Sequence, residues 1–327
     1  VTLDVAIVGC GRAAGEFDDP AKANSASHAA AFSRNEDFRL VGCVDPDEKK
    51  ALSFAAKHGI CHAGTDLSEI IQRSAPDIVS VTSPDETHFS IAKQLLDGSL
   101  PAPRLIFLEK PACSTMVELE ELVGYSLKKR IPVIVNHTRR FDPLYVAIKE
   151  RFNSGELGNL LRIDCIYYGG WEHNGIHLVD IVRCLFSQEF SELDVLEKID
   201  TEKGHDSTLT IRATLGEECV PVWFHGWIGQ QYQIFDLDFR FSKGRLQIRN
   251  FEKELVWEKQ IINDLGERVL ERAPIGIPVE RKRPIDQALT AIHAYCEFNC
   301  ETALVGVRLE DTRKSMEVLW AKQELEA

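Results

Sequence analysis

Four short stretches of this chain hold residue types and spacings suited to chemistry on a small molecule. The first is residues 3–15, an apolar β-branched run that ends in Gly9-x-Gly11-x-x-Ala14. Two glycines at a strand end let the backbone turn tightly and approach a pyrophosphate, and a helix that follows points unpaired N–H groups at that charge. Gly9, Gly11, Arg12, Ala13 and Ala14 are therefore the expected phosphate contacts. The second is Asp45, at the end of the apolar run 41–44. A carboxylate there accepts hydrogen bonds from both hydroxyls of an adenosine ribose and repels a 2′-phosphate, a repulsion to which Asp47 adds. The pair points to NAD rather than NADP; the alternative is a turn-forming Asp-Pro pair. The third is Thr82-Ser83-Pro84-Asp85-x-x-His88, which places a turn and a helix start at the carboxyl edge of a sheet, where ligands bind. Thr82, Ser83, Pro84 and His88 are candidate cofactor contacts, and helix capping by Ser83 or Asp85 is compatible with that role. The fourth is Glu109-Lys110-Pro111. A lysine just beyond a buried strand and held by a proline faces the same edge. Partial desolvation lowers its pKa and suits it to donate to, or polarise, an oxygen; the alternative is a solvated surface lysine.

The elements that must position these residues alternate. Apolar strand-like runs lie at residues 5–8, 40–44, 78–82, 105–108 and 132–136, with amphipathic helices at 28–34, 49–58, 67–73, 87–97 and 116–129. Short, fully apolar strands separated by helices predict a parallel sheet covered on both faces, and the glycine turn after the first strand makes it a doubly wound nucleotide-binding domain. Residues 16–27 are polar, contain Pro20 and delay the first helix, so they read as an insertion of about ten residues, either folded over the cofactor or a surface loop. Beyond Arg140 the pattern changes. A strand at 160–168 and a helix at 176–186 precede strands at 193–199, 208–214, 220–225, 233–241, 245–249 and 254–258. In 233–241, Phe235, Leu237, Phe239 and Phe241 alternate with Asp236, Asp238 and Arg240, the pattern of a half-buried antiparallel strand. Helices at 284–299 and 310–325 close the chain. The expected fold class is α/β: a Rossmann domain over 1–137, then a substrate-binding and oligomerisation domain over 138–327 built on a large, open, mostly antiparallel sheet. So large a sheet with few helices to cover it predicts a homo-oligomer, a dimer or tetramer, formed through its open face.

Composition narrows the partners. A length of 327 residues suits two domains, and a net charge of −13 argues against nucleic-acid or anionic-membrane partners. No apolar run reaches the length of a membrane span, and the start reads as a strand rather than a signal peptide. The nine cysteines are scattered, with Cys43, Cys165 and Cys219 inside apolar runs. That is free-thiol usage, expected of a cytoplasmic protein. His293, Cys296 and Cys300 have the spacing of one helix face, but their apolar neighbours favour packing, and no metal site is expected.

The order and spacing of Gly9-x-Gly11-x-x-Ala14, Thr82-x-Pro84-x-x-x-His88, Glu109-Lys110-Pro111 and Arg139-Arg140-Phe141-Asp142-Pro143 resemble those of the glucose–fructose oxidoreductase / inositol dehydrogenase / MocA family, over nearly the whole chain. The resemblance implies an NAD(P)-dependent dehydrogenase or reductase of sugars, sugar nucleotides or cyclitols, with Lys110 beside the nicotinamide and the reacting hydroxyl. It also draws attention to residues 171–180, where the family's Asp-x-Gly-x-His-x-x-Asp is matched by Gly175, His177 and Asp180 while His173 takes the leading aspartate's place. In the family that aspartate and the histidine act with the lysine. An unperturbed imidazole has its pKa near operating pH, which suits His177 to carry a proton. His173 is expected either to bind a substrate hydroxyl, to mark a divergent substrate, or to mark a catalytically impaired dinucleotide-binding sensor or scaffold. The spacing of His173, His177 and Asp180 also raises a metal site, which hydride transfer to NAD does not need. Arg140, Trp171 and Asn174 complete the candidate substrate contacts; Arg140 either sets the domain interface or reaches an anionic substrate group, and for Trp171 ordinary sheet packing is favoured over an aromatic wall for a sugar ring.

Overall fold

The computed structural model describes residues 2–18, 27–200, 206–277 and 283–321, so most of the expected insertion, residues 19–26, lies outside the described residues. The chain begins β1 (Leu3–Val8), α1 (His28–Arg34), β2 (Phe38–Val44), α2 (Glu48–His58), β3 (His62–Gly64), α3 (Leu67–Ser74), β4 (Ile78–Val81), α4 (His88–Leu96), β5 (Leu105–Leu108), α5 (Met116–Lys129) and β6 (Val133–Val135). The strands pair in parallel in the order β3-β2-β1-β4-β5-β6. The order reverses beside β1, and the crevice of a doubly wound sheet opens there, at the carboxyl ends of β1 and β4. Helix starts follow local chemistry: Asp47, Asp66 and Thr115 accept N–H bonds as caps of α2, α3 and α5. Strand β3 is absent from the sequence reading because three half-buried residues carry no periodic signal.

Next come α6 (Pro143–Asn153), β7 (Leu160–Tyr168), α7 (Ile176–Phe186), β8 (Phe190–Ile199), β9 (Thr208–Leu215), β10 (Val220–Trp227), β11 (Asp236–Phe241), β12 (Gly244–Arg249), β13 (Glu254–Ile262) and β14 (Arg268–Ala273). The eight strands form one sheet, β14-β13-β12-β11-β7-β10-β9-β8, antiparallel throughout except where β10 runs parallel to β7. One face is apolar: Ile163, Cys165, Tyr167, Phe224, Phe239 and Phe241 are buried, and Phe186 of α7 packs edge-on against Phe152 of α6 and Phe239. The other face carries Arg162, Asp164, Asp238, Arg240 and Arg245 in a ladder of ion pairs. Helix α6 escaped the sequence reading although Asp142 caps it and Pro143 stands at its first turn.

Helices α8 (Pro284–Phe298) and α9 (Leu309–Trp320) close the chain. The compact units are not two consecutive stretches divided at 137/138. One is Val1–Phe141 with Arg283–Arg313, the other Asp142–Lys282 with Lys314–Ala327. The return is driven by apolar burial, since Ile285, Ala288, Leu289 and Ile292 of α8 enter the same core as Leu3, Phe32 and Phe38.

Candidate functional site

The glycine turn is built as expected at its first residue and differently after it. Gly9 has φ +90°, and a Cβ there would lie 2.5 Å from the Ser83 backbone. The first glycine thus lets the loops after β1 and β4 close on each other, and Thr82 Oγ1 donates to the Gly9 carbonyl at 2.7 Å. A Cβ on Gly11 would meet only Lys50 Nζ, at 3.8 Å, so the second glycine leaves open space. Gly15 and Glu16 donate back to the Gly11 carbonyl at 3.0 and 3.1 Å.

The following helix corrects the expectation. Helix α1 starts only at His28, and its first N–H groups, on His28 and Ala29, donate to the Ala13 and Ala14 carbonyls at 3.1 and 2.9 Å. They are not directed at an anion. Among the described residues no backbone hydrogen bond is donated by Arg12, Ala13 or Ala14, so the turn itself carries the available N–H groups. The Ala14 side chain is fully buried in the core, and Arg12 and Ala13 are exposed.

Asp45 ends β2 beside this turn, 7% exposed. Its Oδ2 accepts from Cys10 N at 2.9 Å and its Oδ1 from Asp47 N at 3.0 Å, each oxygen keeping a further lone pair. Gly9, Gly11, Arg12, Asp45, Thr82, Ser83 and Pro84 line one cavity of about 690 Å³, together with Pro46, Lys50, Thr65, Thr87, Ile91 and Gln94, which the sequence reading missed. Lys50, one turn into α2, pairs with Glu16 at 3.5 Å. Its place over the turn follows from strand order, which no local motif encodes. The cavity fits a dinucleotide's adenosine half: a carboxylate at the ribose position, backbone donors at the phosphate position and space where Gly11 lacks a side chain.

His88 is a correction. It is fully buried, with Nδ1 2.6 Å from the Pro111 carbonyl and Nε2 2.9 Å from the Ser83 carbonyl. Both ring nitrogens are committed to the protein, so it ties two loops together and is not a cofactor contact.

Lys110 follows β5 and is 8% exposed, not a solvated surface lysine. Its neighbour Glu109, a further candidate cofactor contact, turns its carboxylate towards groups of the protein. Glu109 Oε1 accepts from His28 Nε2 at 2.8 Å and from Asn136 Nδ2 at 2.6 Å, and Oε2 accepts from Lys110 N at 3.3 Å. Burial opposes its charge, but the His28 and Asn136 hydrogen bonds and the Lys110 ammonium outweigh it and hold its pKa at about 2. Arg140 lies on the short turn Thr138–Phe141 with its guanidinium over Gly306.

In the second unit, Trp171–Gly175 form one turn of π-helix that runs into α7. His173 sits on this turn, exposed, and His177 on the first turn of α7, half-buried. Asp206 caps the turn by accepting from Glu172 N at 2.8 Å and His173 N at 2.9 Å, a contact from a distant loop that the sequence reading missed. Asn174 Nδ2 donates to the Tyr168 carbonyl at 2.8 Å. Asp180 is buried and accepts from Ser315 Oγ at 2.9 Å, so it anchors α7. Trp171 follows the packing reading. It is fully buried, with its ring 5.8 Å from Tyr167 and 5.4 Å from Phe224, and a Cβ on Gly175 would lie 2.2 Å from it. It is a wall of the core, not of a substrate pocket, and Gly175 is the residue that admits it. Among the described residues no group of three or more His, Cys, Asp or Glu side chains is arranged to hold a metal ion, and no helix is long and apolar enough to cross a membrane.

Strand order and glycine turn define a dinucleotide-binding Rossmann domain. In comparison with known proteins, residues 3–137 match the family described as "Oxidoreductase family, NAD-binding Rossmann fold", the glucose–fructose oxidoreductase / inositol dehydrogenase / MocA family, as the motifs suggested. The chain is 28% identical to inositol 2-dehydrogenase 1 of Saccharopolyspora erythraea over 172 residues, 48% of this chain and 49% of that protein. It spans about half the length of the curated relatives it matches. Among solved structures it is similar in fold to the dehydrogenase MviM of Clostridium difficile, with TM-score 0.73, 18% identity and 99% of each chain covered. It is likewise similar to a super-repressor mutant of Gal80p of Saccharomyces cerevisiae, with TM-score 0.77, 16% identity, and 99% of this chain and 95% of that one covered.

Proposed function

We propose that the protein is an NAD-dependent oxidoreductase that moves a hydride between nicotinamide and a secondary alcohol or ketone of a sugar, sugar-nucleotide or cyclitol. The observation that carries this reading is the juxtaposition at one sheet edge: the cavity under Gly11 and Asp45 opens beside β1 and β4, and Lys110, largely buried, ends the neighbouring β5. Asp45 keeps lone pairs for the ribose hydroxyls, and its charge favours NAD over NADP. The dinucleotide supplies hydride acceptance and return. Lys110 donates to the substrate oxygen and stabilises negative charge developing there; His177 takes the hydroxyl proton and returns it in the reverse direction. His173 and Asn174 contribute contacts to substrate hydroxyls. Inositol dehydrogenases among the relatives support the polyol class.

The test is a panel of polyols, sugars and sugar nucleotides followed by absorbance of the reduced cofactor. Lys110→Ala is expected to lower kcat by about 10²- to 10⁴-fold. Near-normal turnover in that variant would remove the role of Lys110. A second reading rests on His173 at the family's aspartate position: a dinucleotide-binding sensor or scaffold without turnover. Saturable NADH fluorescence together with no turnover on the whole panel favours it. The open, ion-paired face of the eight-stranded sheet is proposed to join copies of the chain into a dimer or tetramer, which light scattering reads directly.

A further inference from the structure

Three buried polar side chains stand at the carboxyl edge of the parallel sheet without a place in the proposed chemistry. His28 is 2% exposed, Ser80 0% and Asn136 4%. They surround Glu109, which directly precedes Lys110. Burying polar groups here disfavours folding unless each is hydrogen-bonded, and an apolar cluster would avoid that penalty. The bonds to Glu109 can be assigned, while Asn136 Oδ1 is left without a hydrogen-bond partner among the described residues. An ionised Glu109 only accepts, so His28 Nε2 and Asn136 Nδ2 both donate to its Oε1 and converge within 3.2 Å of each other. This fixes a proton on His28 Nε2 and the orientation of the Asn136 amide. The other imidazole nitrogen, Nδ1, meets Ser80 Oγ at 2.8 Å, and the ring lies 4.9 Å from that of Phe107 in β5. The imidazole is therefore held at both nitrogens and along one side.

His28 is also the first residue of α1. Its own backbone N–H and that of Ala29 hold the Ala13 and Ala14 carbonyls. One residue thus grips the dinucleotide turn with its backbone and the Glu109–Lys110 segment with its ring.

We propose that His28 is a positioning residue for Lys110: through Glu109 it fixes the backbone from which the lysine projects, and through the first turn of α1 it couples that backbone to the turn that holds the cofactor. The inference rests on the oxidoreductase reading for its consequence, but its geometry is testable without turnover.

The experiment uses the full chain carrying His28→Phe, which keeps a flat ring and removes both ring nitrogens, and His28→Gln, whose amide can still donate to Glu109. His28→Phe is expected to lower kcat by about 10- to 100-fold, the size of effect a misplacement near 1 Å produces. KM for NAD is expected to change little, and His28→Gln to recover most of the loss. A double-mutant cycle with Glu109→Gln separates positioning from damage to the fold: in the Glu109→Gln background, His28→Phe is expected to cost less than about threefold, because the group it acts through is gone. Equal costs in both backgrounds would overturn the proposal, as would a kcat unchanged in His28→Phe. Competitive acetylation of Lys110, read by peptide mass spectrometry against exposed Lys49, gives the readout independent of activity. Lys110 is expected to react several-fold faster in His28→Phe and at the wild-type rate in His28→Gln; an unchanged rate in His28→Phe sinks the positioning claim. Normal turnover in Lys110→Ala would instead refute the oxidoreductase role while leaving the acetylation result to decide the geometry.

Discussion

Lys110 in the first unit and His177 in the second are held by different kinds of interaction. Lys110 leaves a fully buried four-residue strand and is backed by a hydrogen-bonded cluster of His28, Ser80, Glu109 and Asn136. His177 sits on a helix start backed by aromatic rings, Trp171 against Tyr167 and Phe224, with Asp206 capping the backbone. Hydrogen bonds to a buried carboxylate depend on charge and on single atoms; aromatic packing depends on ring volume and orientation and not on charge. The first unit should therefore lose function through pH and through single-atom changes, and the second through loss of volume.

The largest effect expected of that contrast is on Trp171. Trp171→Ala opens a cavity beside Phe224 and is expected to destabilise the fold by about 3–5 kcal/mol, read as a shift of the denaturation midpoint. A loss below about 1 kcal/mol would contradict its assignment to the core. Next comes Glu109. Its folded pKa of about 2 lies below the ordinary value of 4.5. Its ionised form therefore adds stability above about pH 4.5, and this is lost as the pH falls towards about 2, an amount up to about 3 kcal/mol. Glu109→Gln should flatten the stability curve across that acid window. An acid limb as steep as that of the wild type would show that the cluster does not favour the charge. Smaller again is Gly9→Ala. The left-handed backbone and the Ser83 clash together cost about 1–3 kcal/mol, whereas Gly11→Ala, facing open space, should leave stability alone and weaken NADH binding. Equal effects on stability would erase the distinction between the two glycines.

The same contrast explains what was legible in the sequence. Apart from β3, the strands and helices of the parallel sheet carry local signals, and α1 and α5 begin and end where caps and periodicity place them. Gly9, Asp45 and Lys110 were likewise readable, because each follows an apolar strand and strand ends converge in a doubly wound sheet. His28, Ser80 and Asn136 were not. They come from a helix start and two strand ends 52 to 108 residues apart, and nothing local marks them as partners. His88 was misread for the converse reason: a polar ring looks like a ligand contact until the structure shows both its nitrogens taken up by the protein, whereas Trp171 follows the packing that its apolar surroundings favoured. The return of α8 into the first core was hidden too, since an amphipathic helix does not say which core receives it.

The smallest effect concerns Asp45, and it sharpens the comparison because here one side chain serves both structure and ligand. One carboxylate oxygen holds Cys10 N, within the glycine turn, and the other holds Asp47 N, which begins the cap of α2. Asp45→Asn keeps an acceptor for one of these and turns the other atom into a donor facing an N–H. Both cofactor preference and turn geometry then move together. The expected outcome is a KM for NAD raised about tenfold, the size of one charge-assisted hydrogen bond, with a smaller change for NADP because the repulsion of a 2′-phosphate is relieved at the same time. The ratio of the two kcat/KM values therefore shifts towards NADP. If both cofactors weaken equally, Asp45 acts only by holding the turn, and the charge at this position does not select the cofactor. Lys50, whose ammonium hangs over Gly11 from the same helix start, and Arg12, which lines the same cavity, are then the charged groups to substitute next.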